Sequence, residues 1–335
     1  MKAMVLAAGL GLRMRPLTLL RAKPALPVLD RPLVHFTLEK LARAGVSDVI
    51  VNLHHLPETV VAALALAERR RPRIHYSIEP EMLGTGGGPR AVQDFFGQEP
   101  FLLVNGDMLF DFDLRELVAR HRASGAAVTL ALRRQRDARA YSSVVTDRRG
   151  RILSIAGRPT SAKGTVWMFA GVHVLDPRLL ARLPEGASDS VRDLYGPLLA
   201  EGAHLAGVRA AGAWYDFGRP SLYRDAQLRM LRGHGRKQVL TGRGARISRT
   251  AVVERAVVGR RSRVGAGACV LGSILWEDAV VEAGARVARA IVTAGGVVRA
   301  GERAEGMIVM PRAALRPGEG GAFEEHGDMA WVGIE

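Results

Sequence analysis

The chain has 335 residues, of which 48% are hydrophobic and 24% are charged, and its formal net charge at pH 7 is +15. This length exceeds what a single core usually organises, so we expect two domains. No apolar run approaches the roughly 18 residues that a membrane span requires, so no membrane partner is expected. The single cysteine, Cys269, excludes an internal disulfide and a cysteine-based zinc site, which fits a reducing cytoplasm.

The positive charge raises the question of nucleic-acid binding, and the composition argues against it. Arginine supplies nearly all of the positive charge, a skew typical of codon bias. Aromatic residues are only 5% of the chain, too few to suggest platforms on which bases stack. We therefore expect no nucleic-acid partner and favour an acidic small-molecule substrate.

Short apolar runs alternate with helical patterns over the first two-thirds of the chain. The predicted strands are 3–7, 48–53, 73–78, 101–104 and 127–132, and the predicted helices are 33–44, 58–70 and 114–123. This alternation predicts an α/β fold with a Rossmann-like, mostly parallel sheet and helices on both faces. Because ligands of such sheets bind at the carboxyl ends of the strands, the loops that begin at Gly9, Glu79 and Asn105 should converge.

The pattern changes near residue 236, where an aliphatic residue recurs about every six positions, with one slip and one interruption. The recurring residues are Ile247, Val253, Val258, Val264, Val270, Val281 and Val287. A six-residue period with small residues in the turns predicts a parallel β-helix. We expect a catalytic domain over 1–235, the β-helix over 236–310, and a capping or irregular tail over 311–335.

The stretch from Leu6 to Pro27 carries the clearest chemical pattern. Glycine amides at Gly9 and Gly11 can approach a phosphate closely, and Arg13 can neutralise it. The third glycine of a dinucleotide fingerprint is missing, and no Gly-Lys-Ser/Thr of a P-loop follows. Downstream, Lys23 stands directly before Pro24, and Pro27 follows, so the backbone around this lysine is restricted.

Two aspartates are candidates for a metal site. Asp107 follows the strand that ends in Val104-Asn-Gly, and Asp216 lies in Trp214-Tyr-Asp-Phe-Gly. Magnesium prefers one or two carboxylates together with phosphate oxygens and water. Asp111 and Asp113 are competing carboxylates, although Asp113 is placed to cap the helix that starts at Leu114.

A second glycine-rich run, Leu83-Gly-Thr-Gly-Gly-Gly88, follows a predicted strand. A loop of this composition could read a base edge through its amides and carbonyls, or it could be a flexible turn.

These residues together resemble the signature of sugar-phosphate nucleotidylyltransferases, Gly-x-Gly-x-Arg-x-x-Pro-Leu-Thr followed by Lys-Pro-x-x-Pro. The matching positions are Gly9, Gly11, Arg13, Pro16, Leu17, Thr18, Lys23, Pro24 and Pro27. The resemblance continues through Asp107 and Asp216 and covers about residues 1–230. The region after 240 resembles the left-handed β-helix that many such enzymes carry.

The resemblance implies transfer of a nucleotidyl group from a nucleoside triphosphate to a sugar 1-phosphate with Mg²⁺, and it implies roles for individual residues. The implied catalytic residues are Arg13, Lys23 and Asp107, and the implied metal ligands are Asp107 and Asp216. The implied nucleotide-binding residues are Leu6, Ala8, Gly9, Gly11, Arg13, Gly84, Thr85 and Gly87. The implied sugar-binding residues are Asn105, Arg158 and Gly171.

One position departs from the family pattern. Members often carry Glu-Lys-Pro before the sugar site, and this chain has Gly157-Arg158-Pro159. The usual glutamate contact to the sugar is therefore in doubt, as is the transfer of the lysine role to Arg158.

The resemblance leaves two pairs of substrates open, one from each of two branches of the family. Mannose 1-phosphate guanylyltransferases share the Leu-Gly-Thr run and, in one branch, the β-helix, so we expect GTP with mannose 1-phosphate or a related sugar. The sequence of the N-terminal half also resembles uridylyltransferases that act on an amino-sugar 1-phosphate such as N-acetylmuramate 1-phosphate.

Two alternatives come from other classes. A β-helix acyltransferase would need a catalytic histidine among the coils, and none lies between Ile247 and Val298. The other is a regulatory pseudoenzyme that binds a nucleotide sugar. We expect the β-helix to form a homo-oligomer, and truncation near residue 235 to affect assembly more than catalysis.

Overall fold

The computed structural model describes residues 1–66, 72–134, 143–159, 163–315 and 322–334, which group into two compact units. The first unit comprises Met1–Leu10 and Val34–Tyr215, and the second comprises Gly11–Leu33 and Asp216–Glu335. The N-terminal signature is thus divided between the units, which a boundary at residue 235 alone does not describe. Within the described ranges, no helix is both long and apolar enough to cross a bilayer.

The chain up to Asp216 carries the strands of the first unit and one short ribbon of the second. These strands are β1 (Lys2–Leu6), β2 (Pro27–Val28), β3 (Arg31–Pro32), β4 (Asp48–Leu53), β5 (Arg73–Ile78), β6 (Phe101–Asn105), β7 (Met108–Phe110), β8 (Val128–Arg133), β9 (Ser143–Thr146), β10 (Ile152–Ile155), β11 (Thr165–Leu175), β12 (Leu205–Arg209) and β13 (Trp214–Asp216). The α-helices of the described chain are α1 (Leu17–Leu20), α2 (Leu33–Arg43), α3 (Pro57–Ala65), α4 (Gly84–Ala91), α5 (Gln93–Phe96), α6 (Leu114–Ser124), α7 (Gly196–Ala200) and α8 (Pro220–Met230).

The first unit is built on a mixed sheet in the order β10-β9-β11-β6-β1-β4-β5, with β8 beside β11 and β12 beside β8. Strands β6, β1, β4 and β5 run parallel, as the alternating pattern predicts. Strand β11 runs antiparallel to β6, β8 and β9, so antiparallel strands extend the predicted parallel core of the sheet. The short connection between β9 and β10 requires an antiparallel pair, because a parallel crossover needs a longer one.

Most predicted elements of the first unit lie within a few residues of their observed bounds. Strands β4 and β5 match their predicted ranges, and α2 is followed by Gly45 at φ 76°, a left-handed conformation that glycine adopts readily. The predicted helix over 58–70 ends at Ala65, and its last predicted residues lie outside the described ranges. Asp113 caps α6, since its carboxylate accepts a hydrogen bond of 2.9 Å from the Arg115 N–H.

The C-terminal part of the second unit forms three stacks of short parallel strands, with a hairpin at the end. Its strands are β14 (Val239–Thr241), β15 (Arg246–Ile247), β16 (Val252–Glu254), β17 (Ala256–Val258), β18 (Arg263–Val264), β19 (Cys269–Leu271), β20 (Ile274–Leu275), β21 (Val280–Val281), β22 (Arg286–Ala288), β23 (Ile291–Val292), β24 (Val297–Val298), β25 (Arg303–Glu305), β26 (Met307–Pro311), β27 (Glu324–His326) and β28 (Met329–Gly333).

The strand register explains the slip in the six-residue period. Val239 pairs with Ala256 and Arg246 with Arg263, so stacked positions are 17 residues apart. Three faces of a coil share 17 residues, so two faces take six each and the third takes five. The interruption between Val270 and Val281 is filled by Leu275, which is 1% exposed in the same core. The predicted β-helix is confirmed, and its irregular spacing is a property of the coil.

The segment predicted as a capping or irregular tail forms a cap in its described part. Strand β28 pairs antiparallel with β26, and β27 pairs antiparallel with β28. Trp331 of β28 is 3% exposed and belongs to the core of the β-helix. The hairpin thus covers the last stacked strand, whose edge would otherwise present unpaired backbone groups.

We expect truncation of an aliphatic side chain in the β-helix to lower the free energy of unfolding more where that side chain is more deeply buried. Val281→Ala removes a fully buried side chain, so the free energy of unfolding should fall by about 2 kcal/mol. Val252→Ala in the same β-helix alters a side chain that is 47% exposed and should have a small effect. Urea denaturation of the three proteins measures both values, and equal losses would contradict the assigned core.

Candidate active site

A buried polar network joins the carboxyl ends of β1, β4 and β5. The Asn52 side chain accepts a hydrogen bond of 2.7 Å from the Ala7 N–H and donates one of 2.8 Å to Glu79. The second carboxylate oxygen of Glu79 accepts from the Leu83 N–H at 3.0 Å. Asn52 and Glu79 are each 2% exposed. This network therefore fixes the ends of three strands and the start of α4 relative to one another.

The end of β6 lies against the end of β1. The Gly106 N–H donates to the Leu6 carbonyl at 2.9 Å, and a Cβ at position 106 would lie 2.7 Å from that oxygen. Only glycine permits this approach, which places Asn105 and Asp107 on either side of the contact. The expected convergence of the loops after these strands is confirmed within the first unit.

Asn52 is a residue that the sequence analysis missed. It is the polar member of the otherwise apolar run Val49-Ile-Val-Asn-Leu53, and an amide in a buried strand needs a hydrogen-bond partner. That polarity was the available signal. Ala8, a predicted nucleotide contact, is 4% exposed and directly follows the Ala7 amide that Asn52 holds.

Gly9 and Gly11 differ in what their surroundings require. Gly11 has φ 62°, and a Cβ there would lie 2.7 Å from the methyl carbon of Thr18. The hydroxyl of Thr18 donates a hydrogen bond of 2.9 Å to the Gly11 carbonyl. Gly9 is exposed, and among the described atoms nothing would lie within 4 Å of a Cβ there. Gly11 is thus required by the local fold, whereas the packing places no such demand on Gly9.

The two basic residues of the signature belong to the second unit and have different environments. Arg13 is exposed in the short helical turn Leu12–Met14. Lys23 is 7% exposed and opens the turn Lys23–Ala25, in which the Leu26 N–H donates to the Lys23 carbonyl at 3.1 Å. Lysine side chains are seldom buried to this degree unless their ammonium group is paired. The turn therefore fixes the position of a buried cation.

The second glycine run is a helix, and the expectation of a loop there was wrong. Gly84 to Gly88 form the first residues of α4. The N–H groups of Gly86 and Gly87 donate to the Ser188 carbonyl, and a Cβ at Gly87 would lie 2.1 Å from the Gly186 carbonyl. The glycines therefore allow α4 to contact the backbone of residues 186–188.

Thr85 has a similar structural use. Its hydroxyl accepts a hydrogen bond of 3.0 Å from the Ser190 N–H and donates to Asp189 at 3.2 Å. Gly84 adopts φ 76° next to the Ser188 carbonyl, where a Cβ would lie 2.6 Å away. The contacts at Gly84, Thr85 and Gly87 account for their residue types by packing, and a nucleotide contact at these positions stays a prediction.

Two of the three predicted sugar-binding residues lie together. Gly171 has φ 75° where the pairing of β11 with β8 shifts register, and a Cβ there would lie 3.1 Å from the Asn105 amide nitrogen and 2.6 Å from the Met108 sulfur. The Trp214 indole N–H points to the same place, 3.3 Å from both the Met108 sulfur and the Ala170 carbonyl. Trp214 was not among the predicted site residues.

Arg158 lies at the exposed end of the turn that follows β10, where its backbone pairs with that of Ile155. Among the described contacts, none joins Arg158 to Asn105 or Gly171. Its predicted sugar contact therefore stays a prediction.

The structure gives positions for all four carboxylates that the sequence analysis considered for a metal site. Asp111 forms an ion pair with Lys40, and Asp113 is held by Arg115. Asp107 lies between β6 and β7 in the first unit, and Asp216 ends β13 at the start of the second. A Cβ at Gly218 would lie 3.0 Å from the Asp216 carboxylate, so the glycine keeps space beside it.

The metal that the family resemblance implies is magnesium, which needs few protein ligands. In the described part of the chain, no three His, Cys, Asp or Glu side chains form a group that could hold a metal. Magnesium commonly takes only one or two carboxylates and completes its shell with phosphate oxygens and water. The carboxylates of Asp107 and Asp216 are donors of this type, and their joint role as metal ligands stays a prediction.

The strand-end network predicts a stability effect that does not depend on catalysis. Asn52→Ala leaves the Ala7 N–H and one Glu79 oxygen without their buried partner, so the free energy of unfolding should fall by about 1–3 kcal/mol. Chemical denaturation measures the change. Arg249→Ala, which alters an exposed side chain of the β-helix, is the control and should change little, and an equal loss in both variants would contradict the network.

Comparison with known proteins agrees with this arrangement. Residues 2–233 match the family model described as nucleotidyl transferase, and residues 231–305 match the model described as GlmU-like, C-terminal hexapeptide. The chain is 34% identical over 242 residues to a mannose-1-phosphate guanylyltransferase of Mycobacterium tuberculosis, which covers 72% of this chain and 67% of the relative. It is 32% identical over 241 residues to a UTP–glucose-1-phosphate uridylyltransferase of Synechocystis sp., covering 68% of this chain and 62% of the relative.

A mannose-1-phosphate guanyltransferase of Aspergillus fumigatus is 31% identical over 225 residues, which is 66% of this chain and 61% of that protein. The matched stretch thus spans about two-thirds or less of the length of these relatives. The family model nonetheless covers well over half of this chain and includes the whole glycine and lysine signature. The chain belongs to the nucleotidyl transferase family and carries a C-terminal hexapeptide β-helix.

Proposed function

We propose that this chain is a sugar-1-phosphate nucleotidylyltransferase that uses GTP and mannose 1-phosphate or a related sugar. Membership of the nucleotidyl transferase family supports the reaction. Relatives named mannose-1-phosphate guanylyltransferase from a bacterium and a fungus support the base and the sugar.

Gly9 is the observation that carries the proposal. The described packing does not require glycine there, and Gly9 lies just beyond the end of β1, which the Asn52 network holds in place. A residue without Cβ at an exposed strand end lets a ligand approach the backbone amides, which is how glycine loops hold phosphates. The absence of a local reason for glycine favours a ligand as the reason.

The reaction needs positioning and charge neutralisation, and these residues can supply both. An oxygen of the sugar phosphate forms a bond to the α-phosphorus of the triphosphate as the bond to the pyrophosphate oxygen breaks, so no protein nucleophile is required. The Gly9 and Gly11 amides and Arg13 would bind the triphosphate and the leaving pyrophosphate. Lys23 would orient the α-phosphate and the incoming phosphate.

The metal of the proposal is Mg²⁺, with Asp107 and Asp216 as its protein ligands. A bound magnesium ion would neutralise phosphate charge during the transfer. The support is the family match over residues 2–233, which includes both aspartates, together with the preference of magnesium for carboxylate oxygens.

The remaining residue roles are part of the same proposal. Leu6, Ala8, Gly84, Thr85 and Gly87 would lie near the nucleotide. Asn105 and Gly171 would contact the sugar, which their proximity in the structure supports, and Arg158 would do so from its exposed turn.

A second substrate pair has a specific observation in its favour. The relative named UTP–glucose-1-phosphate uridylyltransferase matches almost the same length of this chain at 32% identity. Uridylyl transfer to glucose 1-phosphate is therefore the alternative that the comparisons favour, and an amino-sugar 1-phosphate is the acceptor that the sequence itself suggested.

Assembly and location complete the proposal. The domain division at residue 235 and a homo-oligomer formed through the β-helix are both proposed, the latter from the family resemblance of this region. A cytoplasmic location is proposed from the single cysteine, which suits a reducing compartment.

A substrate matrix tests the reaction directly. Purified protein with Mg²⁺ is given each of four nucleoside triphosphates with each of several sugar 1-phosphates, and pyrophosphate release is followed. GTP with mannose 1-phosphate should give the highest kcat/KM. A higher value for UTP would select the alternative, and no turnover with any pair would refute catalysis and leave the regulatory pseudoenzyme.

Asp107→Asn is the matching test of the metal site within that assay. Turnover should fall by about 100-fold or more because the neutral amide is a poor ligand for Mg²⁺, while the circular dichroism spectrum stays unchanged. Asp113→Asn, at the cap of α6, is the control and should retain most activity. Retained activity in Asp107→Asn would remove this residue from the metal site.

Gly9→Ala tests the phosphate loop. The added methyl group has open space in the described structure, so the melting temperature should not change, whereas kcat/KM should fall by about tenfold because the triphosphate loses its close approach. Gly333→Ala, also in open space, is the control. Unchanged kcat/KM in Gly9→Ala would contradict a phosphate contact at this residue.

A further inference from the structure

One corner of the β-helix departs from its own repeat. Positions 17 residues apart are equivalent, so Trp276 occupies the place that Gly242, Gly259 and Thr293 occupy in other coils. At each of these positions the backbone N–H donates to the next coil in the same way. A tryptophan that is only 1% exposed at such a corner is not explained by coil stacking, which accepts glycine there.

Trp276 and its neighbour Glu277 contact the segment Gly11–Leu33, which carries the signature lysine and belongs to the same compact unit. The Arg21 guanidinium forms an ion pair with the Glu277 carboxylate and lies 5.5 Å from the centroid of the Trp276 ring. Glu277 is 9% exposed. An ion pair combined with a cation–π contact, both largely shielded from water, holds Arg21 more firmly than an exposed ion pair would.

A second contact holds the other end of the same segment. The Asp30 carboxylate accepts a hydrogen bond of 3.0 Å from the Arg260 N–H, one coil before Glu277. A Cβ at Gly242 would lie 2.5 Å from Asp30, so the first coil leaves space for this side chain. Burial raises the pKa of Asp30, and the Arg260 hydrogen bond opposes the shift.

Helix α8 supplies two further contacts between these ends. The Tyr223 hydroxyl donates to the Pro27 carbonyl, and the Gln227 side chain accepts from the Leu29 N–H at 2.9 Å. Both side chains are fully buried. Lys23 lies between Arg21 and these contacts, in a turn whose prolines leave the backbone little freedom.

We propose that the Trp276–Glu277 corner of the β-helix is a positioning element for Lys23, acting through Arg21. The inference rests on the proposed function, because it assigns to Glu277 and Arg21 the task of setting where the Lys23 ammonium meets the substrate phosphates. Neither residue is a catalytic residue. The β-helix then contributes to turnover within its own chain, apart from any role in assembly.

This inference differs from the expectation that truncation near residue 235 affects assembly more than catalysis, because it predicts a loss of turnover. Truncation would remove Glu277, Trp276 and Arg260, and with them the contacts at both ends of the signature segment. The loss of turnover would follow from a displaced Lys23 and would not require loss of an oligomer.

The test uses the full-length protein and Glu277→Gln, which removes the charge of the ion pair and keeps the shape of the side chain. Amide hydrogen exchange without substrates should be about tenfold faster over residues 20–30. In the turnover assay kcat should fall about tenfold, while KM for both substrates should change less than about threefold, since Lys23 acts on the transferring phosphate. Glu305→Gln is the matched control, because its ion pair with Arg286 joins two coils of the β-helix.

Arg21 provides the rescue. Arg21→Gln should reproduce the Glu277→Gln effects, whereas Arg21→Lys keeps a cation at Glu277 and over the Trp276 ring and should recover kcat to within about threefold of wild type. Unchanged exchange over residues 20–30 in Glu277→Gln would overturn the proposal. Faster exchange with unchanged kcat would also overturn it, because the corner would then hold the segment without positioning Lys23.

The two measurements, turnover and amide hydrogen exchange, distinguish failure of this proposal from failure of the proposed function. A wild-type protein that turns over no substrate pair would refute the function. Faster exchange in Glu277→Gln alone would still establish that the corner holds the segment, because exchange is measured without substrate.

Discussion

Buried polar groups at the carboxyl ends of parallel strands must find partners, and in this protein one amide and one carboxylate meet that requirement. Asn52 and Glu79 connect the ends of β1, β4 and β5 to the start of α4. Without such a connection each strand end would leave amide groups unpaired in a region closed to water, at a cost comparable to much of a domain's net stability. The exposed Gly9 and the Asn105–Asp107 turn are presented from a base that this network makes rigid.

The second unit meets a different requirement, because the signature segment Gly11–Leu33 consists of short helical turns and the two-residue strands β2 and β3. Its conformation is supported by side chains that arrive from α8 and from the first coils of the β-helix. A β-helix suits this use, since each coil repeats the position of the one below and a single altered corner can be presented on a stiff surface.

Glycine serves three structural purposes at the positions discussed here, and the sequence pattern alone does not separate them. Gly11 and Gly171 adopt left-handed conformations beside crowded neighbours, Gly106 allows two strand ends to meet, and the run Gly84–Gly88 allows a helix to contact a backbone segment. Gly9 is the one of these positions whose described surroundings leave the residue type unexplained. The run Gly84–Gly88 has the composition of a loop but forms the start of a helix. Close packing against residues 186–188 outweighs the low helix propensity of glycine.

The amino-acid sequence determined the strands and helices around β4, β5, α2 and α6, the cap at Asp113, the stacked aliphatic residues of the β-helix and the family signature. These features depend on local periodicity and on residue types at short spacing, which a sequence records directly. The tertiary structure decided the antiparallel course of β11, the partnership of Asn52 with Glu79, the contact of Gly171 with Asn105, and the ion pair between Arg21 and Glu277. Those residues are separated by 27 to 256 positions in the chain, and only folding brings them within hydrogen-bonding distance.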